Sequence, residues 1–405
     1  MPREGEPARA ARPLLAALGL PTFGLAFAIS VLTTYGPVVL IRLTDSTSQV
    51  GALIGAEGAF ALIVPLVAGV WSDRLPGSPI TRRLPFILIG APLMVAGLVA
   101  LPFSGSIAPA AAAILAFFVG YYAYYPPYRA LYADLLPERL YARAQSVQAV
   151  LRGAGLGAAL LAGGLLISVW LPLPFAIAAA TAIATTFALV PVLRLDGKCT
   201  NPLLPYEALP IRRLLARRDV SAVAAANTCW EFSFSGLKSF VVLYVVRGLG
   251  YSPSVASGVI AVVAVAYVVG APLAGRLADR YGIVRVLRLA SLVYGIGLVA
   301  GAFPTTLTPL LVGLPLVALA GAIVMTLPQA LLFTIAPVGS AGAAAGLLDV
   351  SRGIGLVLGP VVVGAVIESS RSLFDSTHGF AAMWPVIGVP VLLTLLLLRM
   401  LEPRQ

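Results

Sequence analysis

Twelve stretches of the chain are long and almost wholly apolar, and short polar segments separate them. They fall near 15–42, 50–71, 84–104, 109–132, 146–170, 173–194, 220–246, 254–274, 285–304, 308–336, 343–367 and 381–400. Crossing a bilayer as a helix takes about 20 predominantly apolar residues, so each stretch is long enough to span one. The pattern predicts an all-α polytopic membrane protein with twelve transmembrane helices and no soluble domain of useful size. Composition agrees: 60% of the 405 residues are hydrophobic and 11% charged, against about 25% charged in soluble domains. The 40 Gly and 32 Pro also suit membrane helices, where both are commoner than in soluble ones.

The formal charge of +11 would suggest nucleic acid on a soluble chain, but its distribution points elsewhere. Arg129, Arg152, Lys238 and Arg352 fall inside or at the ends of spans. All other Lys and Arg except Arg42, Arg247 and Arg371 lie in the tails and in loops 72–83, 133–145, 194–218 and 275–288. That is the positive-inside bias. It puts both termini in the cytoplasm, the protein in the plasma membrane, and nucleic acid off the list of partners. The expected partners are a small-molecule substrate, a proton and membrane lipid, with a monomer as the expected state. Cys199 on the cytoplasmic side and Cys229 within a span are not placed to form a structural disulfide. The first apolar run is too long for a signal-peptide core and lacks an obvious cleavage site, so the first helix is expected to be retained.

The longest polar stretch, 194–219, lies at the midpoint and divides six spans from six. Sequence repeats recur across it. GVWSDR (69–74) after span 2 matches GRLADRYG (275–282) after span 8. VLRGAGLGAALLAGGLL (150–166) opening span 5 matches VSRGIGLVLGPVVVG (350–364) opening span 11. The expected domains are therefore a six-helix bundle at 1–193, a linker loop at 194–219 and a second bundle at 220–405. Repeated helical halves are a common plan of secondary transporters.

On these residues the chain resembles the major facilitator superfamily over essentially its whole length, and the resemblance implies that fold. It also implies that the signature loops latch the two halves on the cytoplasmic side, a role carried to Asp73, Arg74, Asp279 and Arg280. Physically, the loop's Gly permits close helix approach, the Asp accepts hydrogen bonds at a helix N-terminus and the Arg bridges to an acid. A turn with solvated charges is the competing reading. SDRLPGSPITRRLPFI (72–87), with Arg82 and Arg83, and RALYADL (129–135) are similar to the sucrose-transporter side of the glycoside–pentoside–hexuronide cation symporters. That similarity implies proton-coupled sugar transport, with Asp134 and Arg143 taking part. The melibiose-type branch carries two acids a turn apart on span 2 for sodium. Here span 2 has Glu57 alone, which suits a proton better.

Ionisable groups inside spans are functional candidates by default, at about 2.5–3.5 kcal/mol each on insertion scales. Glu57, set in LIGAEGAFAL, is a candidate to take up and release a proton, or a structural acid paired with Arg152 or Lys238. Span 7 reads NTCWEFSFSGLKSF (227–240) and places Asn227, Glu231, Ser235 and Lys238 on one stripe, with Trp230 beside it. Glu231 and Lys238 stand about 10 Å apart along the axis at 1.5 Å per residue, so each is expected to meet a partner on another span. The stripe reads as cavity lining, with Asn227, Trp230 and Lys238 as candidate substrate contacts and Glu231 as a candidate proton carrier, or as interhelical hydrogen bonding for assembly. Span 4 carries Tyr121, Tyr122, Tyr124, Tyr125, Tyr128 and Tyr132 around Pro126-Pro127. Tyr rings suit sugars, with an apolar face for C–H groups and a hydroxyl at the edge. Tyr125, Tyr128 and Arg129 are the substrate candidates, and other tyrosines are expected in an interfacial belt. Arg152 and Arg352 are expected to snorkel to the interface, with Asp349 as a local partner for Arg352. Gln329 in span 10, after Pro328, is a candidate cavity hydrogen bonder.

No G-x-x-x-x-G-K-[ST] loop, H-E-x-x-H or G-x-S-x-G occurs, and the single histidine is His378. No cofactor, metal or enzymatic activity is expected. The leading expectation is an alternating-access secondary transporter that takes up a sugar or glycoside with a proton. A proton-driven drug or metabolite exporter is the alternative. Many exporters carry G-x-x-x-G-P-x-x-G-G in span 5, whereas the related GLVLGPVVVG lies in span 11 here. A non-transporting sensor, expected to need a long signalling tail, is third.

Overall fold

The computed structural model of the chain describes residues 6–76, 79–135, 141–193, 216–303, 306–335 and 341–401. Twelve main helices run through them: α1 Glu6–Leu40, α2 Thr47–Arg74, α3 Pro79–Ala100, α4 Ile107–Leu135, α5 Tyr141–Val169, α6 Leu173–Phe187, α7 Arg218–Leu243, α8 Pro253–Tyr281, α9 Ile283–Ala300, α10 Leu307–Ile335, α11 Ala341–Ser369 and α12 Met383–Arg399. A helical turn at Val190–Leu193 follows α6 and a π-helical turn at Tyr244–Gly248 follows α7. Eleven segments among the described residues are long and apolar enough to cross a membrane. The predicted eighth span lies within α8, of which Pro253–Ala266 is the apolar stretch found among the described residues.

Large apolar side chains face outward, Ile89 at 67% exposure and Val312 at 79%. Water penalises that arrangement and hydrocarbon does not. Helices also satisfy their own backbone groups, as the bilayer core demands. The protein is multi-pass.

The chain divides into two compact units, Met1–Val39 with Ile63–Leu204, and Leu40–Leu62 with Pro205–Gln405. The first half of α2 thus belongs with the second unit, whereas the sequence reading put all of it with the first six spans. Its small residues explain why. A Cβ at Gly51, Gly55 or Gly58 would stand 2.2, 2.8 and 2.4 Å from the carbonyl oxygens of Pro360, Val357 and Gly353 on α11. The start of α2 is tied to the same helix by hydrogen bonds. Thr47 Oγ1 donates to Gly364 O at 2.8 Å, and Ser46 Oγ and Ser48 N donate to Glu368 Oε2 at 2.7 and 2.8 Å. A carboxylate at a helix N-terminus also meets the favourable end of the macrodipole.

The two units use the same pairings. In the first, α3 packs on α4 and α6, and in the second α9 packs on α10 and α12. Likewise α1 meets α5 through Gly155, and α7 meets α11 through Gly355 and Gly359. The repeat read in spans 5 and 11 is thus also a repeat of packing.

Candidate functional site

Most of the polar stripe of α7 is a seam with α11. Asn227, buried, donates from Nδ2 to Ser351 Oγ at 2.8 Å. Thr228 Oγ1 donates to Ser351 O at 3.2 Å, and Ser235 Oγ to Gly355 O at 2.9 Å. Trp230 is fully buried and its Nε1 donates to Ser291 Oγ on α9 at 3.2 Å. Asn227 and Trp230, expected to contact substrate, therefore hold helices together here. Of the two readings of the stripe, assembly describes them and Ser235.

Glu231 and Lys238 differ from their neighbours. The Glu231 side chain, 15% exposed, faces Arg352 on α11 with Oε1 3.7 Å from Nε. Lys238 is half-buried, and Glu57, 8% exposed on the first half of α2, lies within electrostatic reach of both Lys238 and Glu231. Glu57, Lys238 and Arg352 thus all lie within electrostatic reach of Glu231, as does Asp349 on α11. Glu231 has Arg352 and Glu57 on other helices within reach, and Lys238 has Glu57 and Arg352. Arg352, expected to snorkel with Asp349 as a local partner, is 55% exposed and faces Glu231. Gly355 makes this possible, since a Cβ there would stand 2.6 Å from Glu231 Cβ. The signal in sequence was the repeated R-G-x-G, which marks a helix packed closely enough for its arginine to meet a neighbour.

In the first unit the tyrosines of α4 sort onto two faces. Tyr128, fully buried, shares its hydroxyl with Thr22 Oγ1 at 2.8 Å and Tyr132 Oη at 3.0 Å, and both Tyr128 and Tyr132 donate to the Leu18 carbonyl. Tyr124 meets Thr186 Oγ1 at 3.2 Å. These hydroxyls pack α4 on α1 and α6, so Tyr128 is spent on packing. The expected interfacial belt is not formed by the other tyrosines either, because Tyr121, Tyr122, Tyr124 and Tyr132 are all buried. Tyr125 alone is half-buried. Its ring stacks on Tyr121 at 5.7 Å, lies 5.6 Å from the Arg129 guanidinium carbon and accepts on Oη from Arg152 Nη2 at 3.0 Å. Arg129 and Arg152 are exposed. Arg152 therefore reaches across to α4 through Tyr125.

The loop residues behave unequally. Arg83 is 4% exposed and donates from Nη1 to the buried Ser72 Oγ at 2.6 Å, fixing the end of α2 to the start of α3. Arg82 beside it is half-buried. Arg83→Gln is expected to lower stability by about 1.5–3 kcal/mol, the worth of a hydrogen bond to a charged group, read as a lower melting temperature in detergent. Asp279 and Arg280 are exposed at the end of α8, with the Arg280 guanidinium 5.3 Å from the Tyr281 ring. The helix stops at Gly282, whose φ of 85° favours glycine. Gly275 was expected to permit close helix approach, yet a Cβ there would meet nothing within 4 Å. Gln329 is exposed on α10. The side chains of Asp73, Arg74, Asp134 and Arg143, and the whole of Cys199, lie outside the described residues.

Comparison with known proteins bears on the fold. Residues 223–405 match the family described as the Major Facilitator Superfamily. No curated protein sequence matches the chain. Among solved structures, a bacterial homolog of the human lysosomal transporter Spinster, inward-facing and occupied, has a TM-score of 0.77 at 17% identity, covering 96% of this chain and 96% of that one. The inward-facing, unoccupied form scores 0.70 at 19% identity, over 95% and 94% of the two chains. The nucleoside transporter NupG scores 0.72 at 17% identity, over 96% and 100%. The chain therefore has the major facilitator fold along nearly its whole length, and its second half carries that family's sequence pattern as well.

Proposed function

We propose that the protein is a secondary active transporter of the plasma membrane, with both termini cytoplasmic, that takes up a sugar or glycoside together with a proton. The observation that carries this is the group formed by Glu57, Glu231, Lys238 and Arg352. Four ionisable side chains within membrane helices are costly, at roughly 2.5–3.5 kcal/mol each on insertion scales, and are expected to serve function. A proton taken up on Glu231 weakens its attraction to Arg352, so protonation changes the contact between α7 and α11. A solute that binds one protonation state better shifts the population of conformers with it. This is the minimum that proton-coupled alternating access requires.

The single carboxylate within span 2 (50–71), Glu57, supports a proton over sodium. The half-exposed Tyr125 ring supports a sugar, as does the similarity of 72–87 and 129–135 to sucrose-type symporters, with Asp134 as a further proton carrier. Asp73, Arg74, Asp279 and Arg280 keep the gating role that the signature-loop resemblance implies, with Arg82 and Arg83 beside the first of these loops. The functional unit is taken as a monomer.

Liposomes holding a pH dye and the reconstituted protein test the reading. Disaccharides, pentosides, hexuronides and nucleosides (themselves N-glycosides) are added outside without a preset gradient. One glycoside is expected to acidify the lumen. Silence across the panel, with proton release on addition of lipophilic cations, would replace uptake by export.

A further inference from the structure

Among the differences between the two repeats, one leaves a positive site unfilled. In α11, Arg352 is followed by Gly353 and Gly355, and a Cβ at Gly355 would meet Glu231 Cβ at 2.6 Å and Phe232 N at 2.7 Å. In α5, Arg152 is followed by Gly153 and Gly155, and a Cβ at Gly155 would meet Ala26 Cβ at 3.1 Å and Phe27 N at 3.1 Å. The two surroundings match at these two atoms, while the nearest atom at Gly155 is the Phe23 carbonyl oxygen at 2.5 Å. Ala26 on α1 thus holds the place that Glu231 holds on α7. Arg352 has its acid built into the chain, and the counterpart of that acid in the first unit is an alanine.

The surroundings of Arg152 fit an external anion. Its Nη2 is on Tyr125 Oη at 3.0 Å, and Arg129 lies over the same ring at 5.6 Å, so one tyrosine gathers two guanidinium groups. Both arginines are exposed, and among the described residues neither forms an ion pair with a carboxylate. A guanidinium stacked on an aromatic face keeps its edge N–H groups free, and their planar fork matches carboxylate and phosphate oxygens. There is also room: a Cβ at Gly153 or Gly157, beside Arg152 on α5, would meet nothing within 4 Å. We infer that Tyr125, Arg129 and Arg152 form a binding site for an anionic group, a carboxylate or phosphate, which does for Arg152 what Glu231 does for Arg352. The group comes either on a soluble solute or as the headgroup of an anionic lipid. This goes beyond the transport reading, and its test measures binding, so the two fail separately.

The test uses the full-length protein purified in detergent and binding of three probes: inorganic phosphate, phenyl glucuronide and the uncharged phenyl glucoside. Arg152→Gln and Ala26→Glu are measured beside the natural protein, each first checked for a single elution peak and its melting temperature. A second arm places all three proteins in nanodiscs of phosphatidylcholine with or without phosphatidylglycerol and measures which lipid is retained. An anionic probe is expected to bind at least about tenfold more tightly than the glucoside, the worth of one charge-assisted hydrogen bond. Both variants should remove that preference, Ala26→Glu by supplying an internal acid. Retention of phosphatidylglycerol by the natural protein alone, with no soluble anion bound, assigns the site to a headgroup. The inference is overturned if charged and uncharged probes bind alike and phosphatidylglycerol is not retained. It is equally overturned if the preference survives in Arg152→Gln, which decides the matter alone should Ala26→Glu misfold.

Discussion

Glutamine at position 231 is expected to leave solute exchange intact and to abolish uphill, proton-driven accumulation. Glutamine keeps the shape of Glu231 beside Gly355 but can neither carry a proton nor neutralise Arg352. The negative charge that faces Arg352 is then lost, and position 231 can no longer bias one conformer by taking up a proton. A gradient of one pH unit is worth about 1.36 kcal/mol, so at one proton per solute it supports about tenfold accumulation. The variant should show none, while counterflow of labelled against unlabelled solute, which needs no net proton movement, persists. Stability should change little. The Arg352 side chain is 55% exposed and its Nε stands 3.7 Å from the acid, and ion pairs open to solvent contribute about 0–1 kcal/mol. A purely structural Glu231 predicts the reverse, a lower melting temperature with the proton-to-solute ratio unchanged, and that result would sink the coupling role. Arg352→Gln keeps the proton site and removes its partner. It is expected to retain accumulation but to shift the pH at which accumulation is half-maximal.

The spans were legible because a bilayer demands the same thing at every turn of a helix, a long apolar run, and demands it locally. The repeat was legible for a related reason, since SDR/ADR and R-G-x-G are short patterns at fixed places. What α7 faces was not legible. A stripe at helical spacing says that Asn227, Glu231, Ser235 and Lys238 share a side, but not whether that side meets a cavity or α11. Ser351 and the Gly355 carbonyl, which take up Asn227 and Ser235, lie more than a hundred residues away and give no signal of their own. The tyrosines of α4 show the same limit. Tyr125 and Tyr128 are three residues apart and looked alike, yet one is half-buried beside two arginines and the other is closed against Leu18 and Thr22. The first half of α2 lies on α11 for a reason written only in three dimensions, the alignment of Gly51, Gly55 and Gly58 with three carbonyls.

Close packing separates glycines that sequence patterns treat alike, and this leads to the largest expected effect on stability. Gly359 belongs to no signature loop, yet a Cβ there would stand 2.1 Å from Ser235 Oγ, 2.5 Å from Phe232 O and 2.9 Å from Gly236 N. Two of those atoms are backbone and cannot turn aside, so Gly359→Ala forces α7 and α11 apart. Overpacking typically costs about 1–3 kcal/mol, and a clash with rigid backbone belongs at the upper end. Separation also loosens the hydrogen bond from Ser235 Oγ to Gly355 O, at 2.9 Å, and the Glu231–Arg352 pair two turns away. Gly275, from the signature loop, is the control. Alanine there meets no atom and favours the helix, so about 0.4–1 kcal/mol of stabilisation is expected. Melting of the two purified variants should therefore shift in opposite directions. Ser235→Ala added to Gly359→Ala removes the nearest clash but not the one with the Phe232 carbonyl, so the double variant should recover only part of the loss. Full recovery would mean that the hydroxyl, not the approach of the two backbones, sets the distance between these helices.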